Sequence, residues 1–310
     1  MRRRRSLFVV FGVGLPFAAG LLAAYLLRDP MPYFRDRRSS LRAVVPMADT
    51  SEGEFTSESM RLVARSGLAV EITVRAPSRN ATQKLPLVVI LGGHFTGRDA
   101  ARLIGDVPGV VVAAMSYPFT GDPRPSAATF LREIPKIRQA FLDTPPAVML
   151  ALDYLLSRPD VDRSHVEAVG VSLGAPFICV AGALDKRFTR VWALHGSGGS
   201  YSLLESNMRR TIKSSALRVP AAVIANTIIS GPRLDPVKWV SKISPRPFMM
   251  VNALDDERLP RSGVDALYAA ARQPKELIWM SGAHIHADQE TVRRLVGIVM
   301  DRVRRDDATR

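Results

Sequence analysis

From residue 66 onward, apolar runs alternate with stretches of helical period, which predicts strands laid side by side and joined by crossover helices. Leu68–Val74 alternates apolar and polar after the Ser66-Gly67 turn, as a strand with one face on a core does. Leu85–Leu91 and Val110–Met115 are nearly continuous apolar runs, the pattern of strands buried on both faces. Pro145–Leu156 carries apolar residues at helical spacing and stops before Pro159. Beyond it the pattern predicts a short strand over Val166–Val171, a helix over Leu173–Leu184, and strands over Val191–Leu194 and Phe248–Ala253. A helix over Gly263–Ala271, a strand over Leu277–Met280 and a terminal helix from Gln289 to Val303 complete it.

Two stretches interrupt this rhythm. Residues 29–60 are polar and arginine-rich, contain Pro30, Pro32 and Ser39-Ser40, and hold no sustained period, so they predict a linker ahead of a domain spanning 61–310. Residues 197–243 separate two predicted strands and contain Met208–Ile212 and Val219–Ile228. They predict small helices forming a lid over a site, or ordinary connections, and are too short to fold alone.

At the N-terminus the pattern is different again. Leu7–Leu27 has no charged residue, and as a helix it would rise about 31 Å, the thickness of a bilayer's hydrocarbon core. Four arginines, Arg2 to Arg5, precede it, which predicts a single-pass membrane anchor with the domain on the extracytoplasmic side. Arg28 and the arginines after it oppose that orientation. The alternative for residues 1–28 is a signal peptide cleaved near Ala18 and Gly20, giving a secreted or periplasmic protein.

Composition narrows the partners. The chain of 310 residues is 47% hydrophobic and 23% charged, ordinary globular material. Its net charge of +14 suggests nucleic acid at first. Residues 1–42, however, hold nine arginines against Asp29 and Asp36, so half the excess flanks one apolar segment. The remainder shows no zinc-ligand pattern, RNA-recognition signature or basic stripe interleaved with aromatics, and nucleic acid is not an expected partner. Cys179, the only cysteine, cannot form an intrachain disulfide and reads as a buried thiol on an apolar helix.

The candidate chemistry centres on Gly170-Val171-Ser172-Leu173-Gly174. A serine hydroxyl is almost un-ionised at neutral pH, so a nucleophilic serine needs an adjacent base and an exposed position. A sharp strand–turn–helix elbow supplies the position, and glycines two residues before and after the serine remove side chains that would clash in it. With 24 serines and 21 glycines in the chain, chance gives about 0.1 such matches. This one falls between a predicted strand and a predicted helix.

In chain order such an elbow is followed by an acid and then a histidine. Of five histidines only His195, His284 and His286 come after Ser172, and His195 precedes any acid at a strand end. His284 is preferred as the base, with His286 as the alternative. A metal pair formed by these two with Asp288 lacks further ligands, and no metal is expected. Asp256 is preferred as the acid, since it follows a strand and is followed by two variable residues, Glu257 and Arg258, and then by the aliphatic Leu259 and Pro260, a spacing that resembles the hydrolase pattern; Asp255 is the alternative. Backbone N–H groups of Leu173 and of Gly93 or His94, in the glycine loop after Leu85–Leu91, are the expected oxyanion donors.

These residues together resemble the α/β-hydrolase superfamily, in its branch of dienelactone-hydrolase-like and acyl-peptidase-like esterases. The resemblance covers residues 66–304. It rests on Pro159-Asp160-Val161-Asp162 leading into the strand before Gly170-Val171-Ser172-Leu173-Gly174, on Asp256 through Pro260, and on Gly282-Ala283-His284 before a terminal helix. It implies the α/β-hydrolase fold, with a mostly parallel eight-stranded sheet and helices on both faces, and an acyl-enzyme mechanism without cofactor. The chain departs from common members in having Leu91 where a histidine often precedes the oxyanion glycine. The expected activity is hydrolysis of a small-molecule or lipid-like ester at a membrane. A thioesterase, an amide or peptide hydrolase, or a catalytically silent interaction module on the same fold are the alternatives.

Overall fold

Along Leu85–Leu91, residues Leu87, Val89 and Leu91 enter one apolar layer while Val88 and Ile90 enter another, and all five are buried. This strand therefore lies in a sheet covered on both faces. The computed structural model describes residues 20, 24, 28–78, 84–93, 96–126, 128–285 and 289–308. Nine strands form the sheet: β1 (Leu41–Glu52), β2 (Phe55–Ala64), β3 (Ala69–Pro77), β4 (Leu85–Leu91), β5 (Val111–Met115), β6 (Val161–Val171), β7 (Arg190–Leu194), β8 (Phe248–Ala253) and β9 (Lys275–Met280). Their spatial order is β1-β2-β3-β5-β4-β6-β7-β8-β9. β1 to β3 form an antiparallel meander, β3 is antiparallel to β5, and every pair from β5 to β9 is parallel.

The helices are α1 (Met31–Arg37), α2 (Ala100–Ile104), α3 (Phe130–Leu155), α4 (Gly174–Leu184), α5 (Ser200–Met208), α6 (Ser215–Ile228), α7 (Gly231–Leu234), α8 (Arg261–Ala270) and α9 (Gln289–Ala308). One apolar layer joins the sheet to α3, α4 and α8; the other joins its opposite face to α2 and α9. After β4 the chain crosses to β5 on one side, then returns to place β6 on the other. That reversal opens a crevice outside the carboxyl ends of β4 and β6, where sheets of this kind bind their ligands.

Among the described residues the sheet has nine strands rather than the eight expected, and residues 29–60 are not a linker. They contain α1, β1 and the start of β2. β1 escapes a reading by periodicity because it is an edge strand. Val44, Val45 and Met47 are exposed, Pro46 interrupts it, and its pairing with β2 shifts register at two places. α1 is short, but Phe34 is only 1% exposed and three bonds converge on Asp143 of α3. Tyr33 Oη donates to Oδ1 (2.6 Å), and Arg37 donates from Nε to Oδ1 (2.7 Å) and from Nη2 to Oδ2 (2.6 Å). Asp143 is buried, so removing the guanidinium leaves a carboxylate with an incomplete hydrogen-bond set. Arg37→Ala is expected to cost about 2 kcal/mol, below the value for a fully buried pair because Arg37 is partly solvated. A denaturant midpoint that moves by less than a quarter of that amount would show that the fold does not depend on this clamp.

α3 begins at Phe130 rather than at Pro145, running through Pro135, Pro145 and Pro146. Paired prolines read as a helix start because they lack an N–H to donate. Here they sit in mid-helix, and the Thr144 hydroxyl donates to the Ala140 carbonyl (2.7 Å) one turn back. The predicted membrane segment, Leu7–Leu27, lies outside the described residues apart from Gly20 and Ala24. Among the described residues no helix is long and apolar enough to cross a membrane.

Candidate active site

β6 ends at Val171 and α4 starts at Gly174, so Ser172 occupies the turn between them. Its φ of +52° lies in the left-handed region that non-glycine residues avoid, a local strain of order 1 kcal/mol held by its surroundings. Ser172 N–H donates to Leu194 O (2.8 Å) on β7, and Ala175 N–H donates back to Ser172 O (3.1 Å). The flanking glycines are required by space rather than by dihedral angle. A Cβ at Gly174 would lie 2.0 Å from the Leu91 carbonyl oxygen, and one at Gly170 would lie 2.7 Å from Ala175 Cα. Helix α4 thus packs its first turn directly against the end of β4.

The partner of Ser172 comes from the loop after β9. Gly282, at φ +113°, turns that loop, and two residues on His284 presents Nε2 2.8 Å from Ser172 Oγ. Its backbone N–H donates to Glu257 Oε2 (3.0 Å), a contact that holds the Glu257 carboxyl below the usual range. The loops after β8 and β9 are tied by Leu254 N–H to Met280 O (2.9 Å) and Asp255 N–H to Gly282 O (3.1 Å). Behind the ring, His284 Nδ1 lies 2.8 Å from Asp256 Oδ2 and 3.0 Å from Oδ1. Asp256 is fixed in turn by the backbone N–H groups of Arg258 and Leu259, both 2.9 Å from Oδ1. Burial alone would raise its pKa, but hydrogen bonds from His195 and His284 outweigh it and hold the carboxyl well below the usual carboxylate range.

The structure therefore brings Ser172, His284 and Asp256 into one hydrogen-bonded chain. Asp255 is exposed and points no bond at either histidine. His286 and His94 lie outside the described residues. His195, set aside in the sequence because no acid precedes it, stands in the same network. It is 1% exposed, adopts φ +49°, and places Nδ1 3.0 Å from Asp256 Oδ2 with its ring edge-on to His284 at 5.1 Å. Its Nε2 is buried without a hydrogen-bond partner among the described residues. The two imidazoles and the carboxylate are the one group among the described residues spaced closely enough to hold a metal ion. Their separations of 2.8–3.0 Å are those of hydrogen bonds, and the Nδ1 atoms of both rings already face the same carboxylate.

Leu173 and Gly93 line the same cavity as Ser172. Leu173 is the N-cap of α4, where N–H groups and the helix dipole favour negative charge. The loop bearing Gly93 is pinned on both carbonyls: Tyr117 Oη donates to Gly92 O (2.7 Å) and Thr96 Oγ1 to Gly93 O (3.2 Å). A Cβ at Gly92 would meet Thr96 Oγ1, so glycine there is needed for the loop to close.

A cavity of about 540 Å³ opens beside Ser172 on the α2 and α9 side of the sheet. None of its lining belongs to residues 197–243. That insertion packs on the other face, where Leu234, Trp239 and Val240 join the layer of α3, α4 and α8. The expected lid is therefore not a wall of this cavity; helical period marks an apolar face but does not say which side of the sheet receives it. Cys179 lies in α4 beneath the elbow, fully buried, and burial pushes its thiol up to about 12. It is no candidate nucleophile.

No protein-family model matches the chain, and no curated protein does. Solved structures do. Acetyl xylan esterase 1 from Thermoanaerobacterium sp. JW/SL YS485 is similar at 15% identity and TM-score 0.59, with 84% of this chain and 89% of that one covered. The acetyl xylan esterase from Paenibacillus sp. R4 is 18% identical with TM-score 0.60, covering 85% and 90%. An alpha/beta hydrolase from Penicillium sp. sh18 is 18% identical with TM-score 0.57, covering 80% and 98%.

Proposed function

We propose that this chain, which has the α/β-hydrolase fold, is a serine hydrolase that cleaves carboxylic esters through an acyl-enzyme on Ser172. The observation that carries the reading is the Ser172 Oγ to His284 Nε2 distance of 2.8 Å, with Asp256 on the far side of the ring. Ser172 Oγ attacks the ester carbonyl carbon while its proton passes to His284 Nε2, and the carbonyl π pair moves onto oxygen. Leu173 and Gly93 N–H groups receive that oxyanion. Asp256 accepts the His284 Nδ1 proton in a hydrogen bond, which fixes the tautomer and stabilises the imidazolium. Collapse of the tetrahedral adduct expels the alcohol, which takes the proton from His284. Water, deprotonated by the same Nε2, then attacks the acyl carbon; a second collapse releases the acid and returns the proton to Ser172 Oγ. The acetyl xylan esterases among the solved structures similar to this one support an ester as the bond broken.

A fluorophosphonate probe tests this directly, because it phosphonylates only an activated serine. Labelling confined to the peptide holding Ser172, and abolished by His284→Ala but not by His286→Ala, is expected. Folded protein that takes no label would sink the reading, and loss of label with His286→Ala alone would move the base to that residue.

The enzyme is further proposed to be tethered to a membrane through residues 7–27, with its domain on the extracytoplasmic side. The uncharged length of that segment and the four arginines before it support this. Protease added to intact cells is expected to digest the domain; full protection would place it in the cytoplasm.

A further inference from the structure

The cavity beside Ser172 is much larger than an acetyl group needs, and its chemistry is uniform. Its floor is the sheet face presented by Val88, Ile90 and Val169, and its far wall is α9 through Leu295, Val299 and Met300. Among its described lining residues the polar side chains are those of Ser172, His284, Thr96 and Arg258. Apart from these, no aromatic ring and no charge lines the cavity among the described residues, so the remaining described walls offer nothing to stack on a sugar or aromatic ring, or to pair with a carboxylate. A hydroxylated or ionic group entering it would lose its water without replacement. A volume of about 540 Å³ falls within the usual range of ligand sites. α9 contributes lining from Val292 to Met300, a rise of about 12 Å, or roughly the extended length of a chain of eight to ten carbons.

We infer that this cavity binds an unbranched, uncharged hydrocarbon chain of the ester, which makes the substrate class medium-chain aliphatic esters. The inference rests on the ester-hydrolase reading and adds the chain to it. Each methylene moved from water into such a site favours the bound transition state by roughly fourfold until the cavity is full. The chain can belong to the acyl group or to the alcohol, since both leave the carbonyl beside the same mouth.

Two ester series separate these sources: p-nitrophenyl esters from acetate to dodecanoate, and alkyl acetates from methyl to dodecyl. A rise in kcat/KM of at least tenfold from two to eight carbons, levelling or falling beyond ten, is expected in one of them. A rise in the first assigns the chain to the acyl group, and in the second to the alcohol. Val299→Trp, deep in the wall, is expected to lower the eight-carbon to two-carbon ratio at least tenfold. Because that bulk can prevent folding, Val296→Trp, partly buried at the same helix face, is made alongside and checked by circular dichroism. Turnover that is flat or falling with length in both series, or a ratio unmoved in folded variants, would overturn the chain inference and leave the esterase standing. Absence of both ester turnover and fluorophosphonate labelling would remove the underlying reading, and the chain with it.

Discussion

Ser172→Ala is expected to lower kcat on a chromogenic ester by about 10⁶-fold while leaving KM within a few-fold. The asymmetry follows from where the hydroxyl acts. Oγ forms its bond in the transition state, whereas substrate binding depends on the cavity and the backbone donors, which the substitution leaves in place. The residual rate should still exceed that in water by about 10³-fold, from the oxyanion donors and positioning alone. Folding is not the explanation for such a loss. Alanine at φ +52° bears the same backbone strain as serine, so stability should hold, whereas Ser172→Gly removes the Cβ conflict and is expected to stabilise by about 1 kcal/mol. Titration with the ester under single-turnover conditions reads the rate. An alanine variant that keeps a tenth of the activity would show that another group forms the acyl-enzyme.

Asp256→Asn is expected to cost about 10⁴-fold in kcat. An amide in place of the carboxylate can turn an N–H toward His284 Nδ1, which stabilises the tautomer with its proton on Nε2 and so deprives Ser172 Oγ of an acceptor. Here the acid serves two rings, so the substitution disturbs His195 as well. An additional loss of about 1–3 kcal/mol of stability is expected, since a second buried imidazole loses its carboxylate. The depressed carboxyl also fixes the sign of a pH effect. A carboxyl whose folded pKa lies below its unfolded value of about 3.9 contributes stability that is complete above that pH and is lost as pH falls through the folded value. Asp256 therefore stays ionised wherever the enzyme is folded and working. Wild-type stability should accordingly fall more steeply with acid than that of the asparagine variant, as read by thermal unfolding from about pH 5 downward to about pH 2. Parallel curves would mean that the carboxylate is not held by its two rings.

What the sequence made legible and what it hid divide along a physical line. Leu85–Leu91 and Phe248–Ala253 are strands with those same bounds, because central parallel strands are apolar on both faces and flanked by turns. β6 is longer than its apolar run, Val166–Val171, because its first half carries Asp162, Arg163 and Ser164 at a partly solvated end. Ser172, Asp256 and His284 could be singled out because each follows a strand, in an order that local motifs encode. His195 could not be weighed in that way, since its role depends on strand adjacency. β7 lies beside β8, His195 N–H donates to Val251 O (2.7 Å), and that pairing carries its ring to the loop holding Asp256. A histidine closing the run Val191-Trp192-Ala193-Leu194, as Ser172 closes its own, was the available signal. The insertion's side of the sheet likewise rests on packing between distant segments.

β1 carries one further implication, for how copies of this protein meet. A strand of twelve residues with one flank unpaired among the described residues offers backbone donors and acceptors to any extended segment that approaches. Pro46 withholds a donor in mid-strand, and the register shifts on either side of it twist the edge out of the flat geometry a neighbour would need. The same irregularity that conceals β1 from a periodicity reading therefore also makes this edge a poor template for the strand of a second molecule.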